Sequence, residues 1–332
     1  MFAGAAFTDS ADIKVDTEVV DTLVSLGVVN GYDDGSFKPN GTVTRAEMAK
    51  MIYVLRTGNS DASAYNDDKT SFTDIGSHWA RGYIKYCQSL GVIAGKSSTK
   101  FCPNEKVTAQ EAAKMLLVTL GYDATKAGLT GAGWASKTNA LADENGLLED
   151  VNTSFTSACP RQYAAQLIYN TIFAKTVVLR DGSYTKYGYD NTPNPTVGEK
   201  YMNLKSDTGV ITTVGKETFT IALDSDEDNY SSGATQNYTK LKKDYSSKLG
   251  QKVKVLFKNG KTNDVIGVYA TSDNTVYNTL MNKVELDGSK IKFDGKSYST
   301  ELLGSTTSEG AIASSTADAL ITIKDGKLVK GY

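Results

Sequence analysis

The sequence predicts a multidomain α + β chain: an N-terminal all-α triple repeat packed as a pseudo-threefold helical bundle, then a small all-β barrel or sandwich. Three observations lead there. A stretch beginning at Leu26 recurs without a gap 64 positions later, a fainter third copy follows, and from about residue 181 the helical texture gives way to short alternating runs.

The repeat is carried by "LGVVNGYDDGSFKPNGTVTRAEMAKMI" from Leu26 and "LGVIAGKSSTKFCPNEKVTAQEAAKML" from Leu90. Leu26, Gly27, Val28, Gly31, Phe37, Pro39, Asn40, Val43, Thr44, Glu47, Ala49, Lys50 and Met51 all recur in register. Upstream, "FTDS" at Phe7 returns as "FTDI" at Phe72, one residue out of that register. The third copy sets Trp134 and Ala135 against Trp79 and Ala80, and its linking loop is about four residues shorter. The units are expected at 1–62, 63–124 and 125–180.

Each unit reads helix, loop, helix. Trp79, Tyr83, Ile84 and Cys87 fall close to helical spacing, Gly91 supplies the positive φ that ends that helix, and Gly95 turns the chain again. Thr44 and Thr108 stand where N-caps belong, with Glu47 and Glu111 as capping-box partners. Ala49, Ile52 and Leu55 form a stripe that one unit cannot bury alone, so the copies are expected to pack together.

The acidic turn at Asp33 and Asp34 is not an EF-hand, because position 12 counted from Asp33 is Thr44 rather than Glu. The second copy replaces "YDDGS" with "KSSTK". Turn and core residues recur, and the carboxylates do not.

Bulk properties exclude other classes. The 36 basic and 38 acidic residues leave a formal charge of -2, too little to gather nucleic acid or anionic lipid. No run approaches the roughly 20 apolar residues that span a bilayer, so no membrane insertion is expected. Cys87, Cys102 and Cys159 form no CxxC, and the single His78 lies in no ligand cluster; buried free thiols are expected. The opening "MFAGAAFTDS" lacks a basic n-region and a full apolar h-region, so a mature chain with an added Met, its signal peptide absent, is expected.

The quoted repeats, with "HWARGYI", resemble the S-layer homology domain, the triplicated anchoring module of bacterial surface-layer and cell-wall proteins. The resemblance covers residues 1 to about 180. It implies an extracellular protein with a three-pronged helical arrangement, held noncovalently on a Gram-positive-type wall. The implied partners are secondary cell-wall polysaccharide, often pyruvylated and bound in grooves between units, and other copies of the chain in a surface lattice.

Carried over by position, the Arg of "TRAE" is Arg45, the opening aspartates are Asp9 and Asp74, and the groove tryptophan is Trp79. A guanidinium fork can hold a pyruvate carboxylate bidentately, so Arg45→Ala is expected to weaken polysaccharide binding with helical content unchanged. Trp79 can cover the apolar face of a sugar or serve the core. Asp9 and Asp74 brace turns through backbone N–H groups or contact sugar hydroxyls, the first being favoured. Gly31 and Gly95 serve close turns, with groove contact secondary.

The copies depart from the motif at Ala109 and at "CPRQ", where Pro160 takes the Arg position and Arg161 lies one step along. One competent groove, built around Arg45 and a neighbouring unit, is therefore expected. Lys96, Lys106 or Arg161 are the alternative sources of positive charge.

Residues 181–200 read as a linker, rich in turn formers and tyrosines, and 201–332 as the β domain. "KVKVLF" and "KVELDG" alternate, and "KNGK" and "KDGK" are hairpin signals. Asp224, Asp226 and Asp228 in "DSDEDN" offer oxygen ligands for calcium, against a solvated turn; no cofactor is required. The ending "LVKGY" suggests the front part of a longer protein.

No carboxylate pair on a persuasive scaffold supports glycosidase chemistry, and His78 lies inside an anchor unit, so the chain is expected not to be an enzyme. The alternatives to a wall anchor are the anchor region of an exported wall-active glycoside hydrolase, and an adhesin or protein-binding module.

Overall fold

The computed structural model describes residues 7–224, 233–300, 310–311 and 316–331. It divides into two units, Met1–Leu204 and Lys205–Tyr332.

Six helices build the three repeats of the first unit: α1 (Thr17–Ser25), α2 (Arg45–Thr57), α3 (Arg81–Ser89), α4 (Ala109–Leu120), α5 (Trp134–Glu144) and α6 (Arg161–Phe173). The first helix of every repeat ends alike. Gly27, Gly91 and Gly146 adopt φ of 71°, 68° and 72°, and the next N–H turns back to the carbonyl of Leu23, Cys87 or Ala142. This Schellman closure, where a side chain would be strained, is common to all three helix ends.

The second helices are entered through loops whose ends meet in a ring. Val43 N–H donates to Cys159 O (3.1 Å), Cys159 N–H to Val107 O (2.8 Å) and Val107 N–H to Val43 O (3.0 Å). Three equivalent main-chain bonds close on themselves, which is a pseudo-threefold axis. Thr44 and Thr108 complete capping boxes with Glu47 and Glu111.

Packing is cyclic as well. α3 lies on α2, α5 on α4 and α1 on α6, so each prong pairs the first helix of one repeat with the second helix of the repeat before it. Met48, Ile52, Leu55, Leu116, Leu117, Leu167 and Ile168 are fully buried. Each such side chain stabilises by about 1.5–3 kcal/mol on leaving water.

Residues 181–200 are not a linker. The strands β1 (Val178–Arg180) and β2 (Ser183–Thr185) pair as a hairpin, and α7 (Val197–Met202) carries its own Thr196–Glu199 capping box. α7 packs on α2 and α6, and the Arg56 guanidinium lies 4.5 Å over the Tyr201 ring. The turn formers shape a folded strap, because Val177 N–H and Val197 N–H bond the chain back to Leu120 O and Ala174 O.

The second unit has the strands β3 (Leu204–Gly215), β4 (Thr218–Leu223), β5 (Thr235–Tyr238), β6 (Lys252–Lys258), β7 (Val265–Ala270), β8 (Thr275–Leu280) and β9 (Glu285–Asp287). Then come β10 (Lys290–Phe293), β11 (Lys296–Ser299), β12 (Gly310–Ala311), β13 (Asp318–Lys324) and β14 (Lys327–Gly331). They make a sheet ordered β5-β4-β3-β6-β7 and another ordered β12-β9-β10-β11-β14-β13-β8.

Ile211, Phe219, Ile221, Tyr238 and Val255 fill the core of the first sheet, and Val284, Ile291, Phe293 and Ile321 that of the second. The expected barrel is thus corrected to open sheets among the described residues. Hairpins pair neighbours locally, and each sheet gathers its own apolar set, with no ladder joining β5 to β7 or β12 to β8. "KDGK" turns through Asp325 and Gly326, both at positive φ as a tight hairpin requires.

Cys87 and Cys159 are buried, which pushes both thiols up to about 12, whereas Cys102 is half-buried. Iodoacetamide at about pH 8, near the ordinary cysteine range, is expected to label one thiol natively and all three after unfolding. Rapid native labelling of a second would contradict this packing.

Candidate functional site

The ring of main-chain bonds sets the correspondence between repeats. Thr44, Thr108 and Pro160 are the N-caps, so Arg45, Ala109 and Arg161 are the first helical residues of α2, α4 and α6. Pro160 therefore does not replace the arginine. Arg161 is its structural equivalent, because a proline stands at the N-cap in place of threonine with the spacing unchanged.

The two arginines share one hydrogen bond and one ring contact. Arg45 Nη2 donates to Ala94 O (2.6 Å) and its guanidinium lies 4.6 Å over Phe101. Arg161 Nη2 donates to Asn30 O (2.6 Å) and lies 5.2 Å from Phe37. Asn30 and Phe37 precede Ala94 and Phe101 by 64 positions each. Each arginine thus staples its helix to the loop of the next repeat. Between the second and third repeats the staple is missing on both sides: Ala109 replaces the arginine, and Thr153 occupies the phenylalanine position, six residues before the ring member Cys159.

Arg45 is 3% exposed, and its Nε donates to Phe101 O at 2.9 Å. The Nε–Nη2 edge that would hold a carboxylate bidentately is engaged by two main-chain carbonyls. Its expected role as the carboxylate fork is corrected on this geometry: burial lowers its pKa, partly offset by Glu111, and its charge serves the interface.

Asp9 and Asp74 brace the same loops. Asp9 accepts from Phe37 N–H (2.9 Å) and Lys38 N–H (2.8 Å), Asp74 from Phe101 N–H (3.0 Å) and Cys102 N–H (2.8 Å). Burial works to raise both carboxyls, and these paired donors outweigh it, so both lie below the usual carboxylate range. Gly31 and Gly95 sit where a Cβ would fall 2.6 Å from the Phe7 ring and 2.2 Å from Ser97 O. Both are needed for close approach.

Trp79 is different, because it is 54% exposed. It precedes α3, beside His78, whose Nδ1 accepts from Ala80 N–H (3.1 Å) and whose Nε2 meets Asn104 Oδ1 (3.1 Å). Lys50 of α2 reaches to 6.0 Å from the rings of both Trp79 and Tyr83. The pairing recurs where Lys114 of α4 lies 5.2 Å over Trp134. At the third prong the corresponding residues are Gln166 and Val15, counted from Arg161 and Gly27, and the pair is absent.

Arginine staple and lysine–tryptophan pair therefore coincide at one interface, between the first two repeats. The sequence reading named Arg45 and Trp79 but not Lys50. The available signal was the recurrence of Lys50 as Lys114 on a helix otherwise conserved for its core.

The other cationic candidates are engaged. Lys96 Nζ meets Glu111 at 2.6 Å, and Lys106 Nζ donates to Thr42 O at 3.0 Å. Of the calcium candidates, Asp224 pairs with Lys252 at 3.0 Å, and Asp273 meets the same ammonium at 2.9 Å. Asp226 and Asp228 lie outside the described residues. Among the described residues no group of three or more His, Cys, Asp or Glu side chains is placed to hold a metal, and no helix is long and apolar enough to cross a membrane.

Residues 6–49 and 71–113 match the family described as the S-layer homology domain. The first two repeats are thus similar to S-layer homology domains. The match supports, at the level of the family, a non-catalytic role in anchoring at the cell wall and surface layer.

The chain is 27% identical over 191 residues to the "Surface layer protein" of Brevibacillus choshinensis, covering 56% of this chain and 16% of the relative. It is 26% identical over 181 residues to the "Cell surface protein" of Thermoanaerobacter kivui, covering 54% and 23%. With the "Surface-layer 125 kDa protein" of Lysinibacillus sphaericus it shares 35% over 101 residues, covering 30% and 8%. The matched part thus spans less than a quarter of each of these curated relatives.

Proposed function

We propose that the S-layer homology repeats hold this chain on the wall by binding secondary cell-wall polysaccharide, in pyruvylated form, at the interface of the first two repeats. One observation carries the reading: among the described residues, only there do the arginine staple and the lysine–tryptophan pair coincide. Trp79 covers the apolar face of a sugar ring, Lys50 meets the ketal carboxylate as a point charge, and Arg45 positions the loop from behind. No cofactor is required. The β unit faces other copies in a surface lattice, in keeping with relatives named as surface-layer proteins.

The test is cosedimentation with sacculi that retain their polysaccharide, beside sacculi stripped of it by acid. Retention is expected on the first alone. Trp79→Ala and Lys50→Ala are each expected to weaken it about tenfold, in line with a cation or aromatic contact of about 1–2 kcal/mol, and Trp134→Ala less. Undiminished retention of the Trp79→Ala chain would sink this groove assignment, and failure of the parent chain on both materials would sink the anchor reading.

A further inference from the structure

The strap between α6 and α7 carries a surface that neither the core nor the repeat interfaces use. Tyr189 is 90% exposed and Tyr187 49%, and Val178 and Leu179 of β1 are also exposed. An unshielded ring of this kind is usually mobile. This one is held: the Arg180 guanidinium lies 3.7 Å over the Tyr189 ring, and Arg180 Nη1 donates to Gly188 O at 3.3 Å.

The loop beneath is tightly bonded. Gly188 N–H donates to Thr192 O and Asn194 N–H to Lys186 O, both at 2.7 Å, and Asp190 Oδ1 accepts from Thr192 N–H (3.1 Å) and Oγ1–H (2.5 Å). The hairpin is moored to the bundle by Tyr184, whose ring lies 4.5 Å from that of Tyr122 and whose hydroxyl accepts from Asp123 N–H at 2.9 Å. One face of Tyr189 is therefore fixed by the cation and the other stands open. A preorganised aromatic ring loses little conformational freedom when something settles on it.

The size of the patch selects the occupant. Even complete burial of both tyrosines, at about 150–250 Å² each, stays below the roughly 800 Å² per partner of a stable protein interface. A single pyranose ring needs no more than one such face. With its hydroxyls equatorial it offers an apolar surface of axial C–H groups, while its rim can bond tyrosine hydroxyls and the remaining guanidinium donors.

We propose that Tyr189, backed by Arg180 and flanked by Tyr187, is a second saccharide-binding site for an equatorially substituted glycan, separate from the repeat interfaces. This extends the wall-glycan reading and adds a weak contact whose value lies in acting together with the first.

The site is tested on the whole chain with its tyrosines replaced by 3-fluorotyrosine, titrated with chitohexaose and followed by fluorine NMR, with Tyr189→Phe assigning the signal. The Tyr189 resonance is expected to move saturably, with Tyr187 following. Tyr189→Ala should abolish the Tyr187 response, and Trp79→Ala should leave it intact. An unmoved Tyr189 signal at tens of millimolar sugar overturns the proposal. So does movement with protein concentration alone, which would assign the surface to a second copy. Neither outcome bears on sacculus retention through Trp79, so the two readings fail separately.

Discussion

Arg45→Ala is expected to lower the unfolding free energy of the helical unit by about 3–5 kcal/mol, a structural effect exceeding any loss of binding. The substitution orphans the carbonyls of Ala94 and Phe101, at about 1–3 kcal/mol for each unsatisfied group, and removes the guanidinium from the Phe101 face. It also leaves a void at a fully packed interface. Arg161→Ala should lose about 1–2 kcal/mol, because Arg161 is only half-buried and makes one such bond, to Asn30 O, in reach of solvent. Urea denaturation followed by far-ultraviolet circular dichroism measures both. Equal losses for the two variants, or a loss below about 1 kcal/mol for Arg45→Ala, would show that the staple does not hold the first two repeats together. Arg45→Lys should recover part of the loss, since an ammonium can reach one carbonyl but cannot stack as a plane.

Gly95→Ala should cost about 3 kcal/mol, the upper part of the overpacking range. Its Cβ would fall 2.2 Å from Ser97 O and 2.6 Å from Lys100 O, main-chain atoms that can yield only if the loop re-forms. The equivalent Gly31→Ala meets chiefly the Phe7 ring at 2.6 Å, with Ser36 O at 3.2 Å, and a side chain gives way more readily, so a loss of about 1–2 kcal/mol is expected. The same urea titration ranks the pair, and a reversed order would refute the backbone-clash account. Gly95 follows Ala94, whose carbonyl Arg45 binds, so Gly95→Ala and Arg45→Ala should be non-additive in a double-mutant cycle.

Identity alone placed Pro160 against Arg45, because a motif is read by its letters and a proline N-cap has no letter in common with threonine. The hydrogen-bond ring through Val43, Val107 and Cys159 fixes the frame by geometry, and Arg161 falls into the arginine place. Trp79 is named as a groove residue only through the resemblance, and its position before a helix points as readily to the core, whereas the structure leaves it 54% exposed. Lys50 recurs in the sequence as Lys114, but recurrence alone does not show that the tryptophan of another repeat is folded against it.

The linker fared likewise. Residues 181–200 have the composition of a free segment, and composition cannot register that Val177 and Val197 bond back to the bundle.

By itself the sequence determined what is local: the 64-residue period, the capping boxes at Thr44 and Thr108, the left-handed glycines that end α1 and α3, and the hairpin turn at Asp325 and Gly326. These rest on interactions within a few residues, where spacing and side-chain chemistry suffice. Only the tertiary structure decided which arginine edge is engaged, which lysine faces which tryptophan, and that the β strands form open sheets with separate cores among the described residues. Those depend on contacts between residues tens of positions apart, whose distances no local pattern encodes.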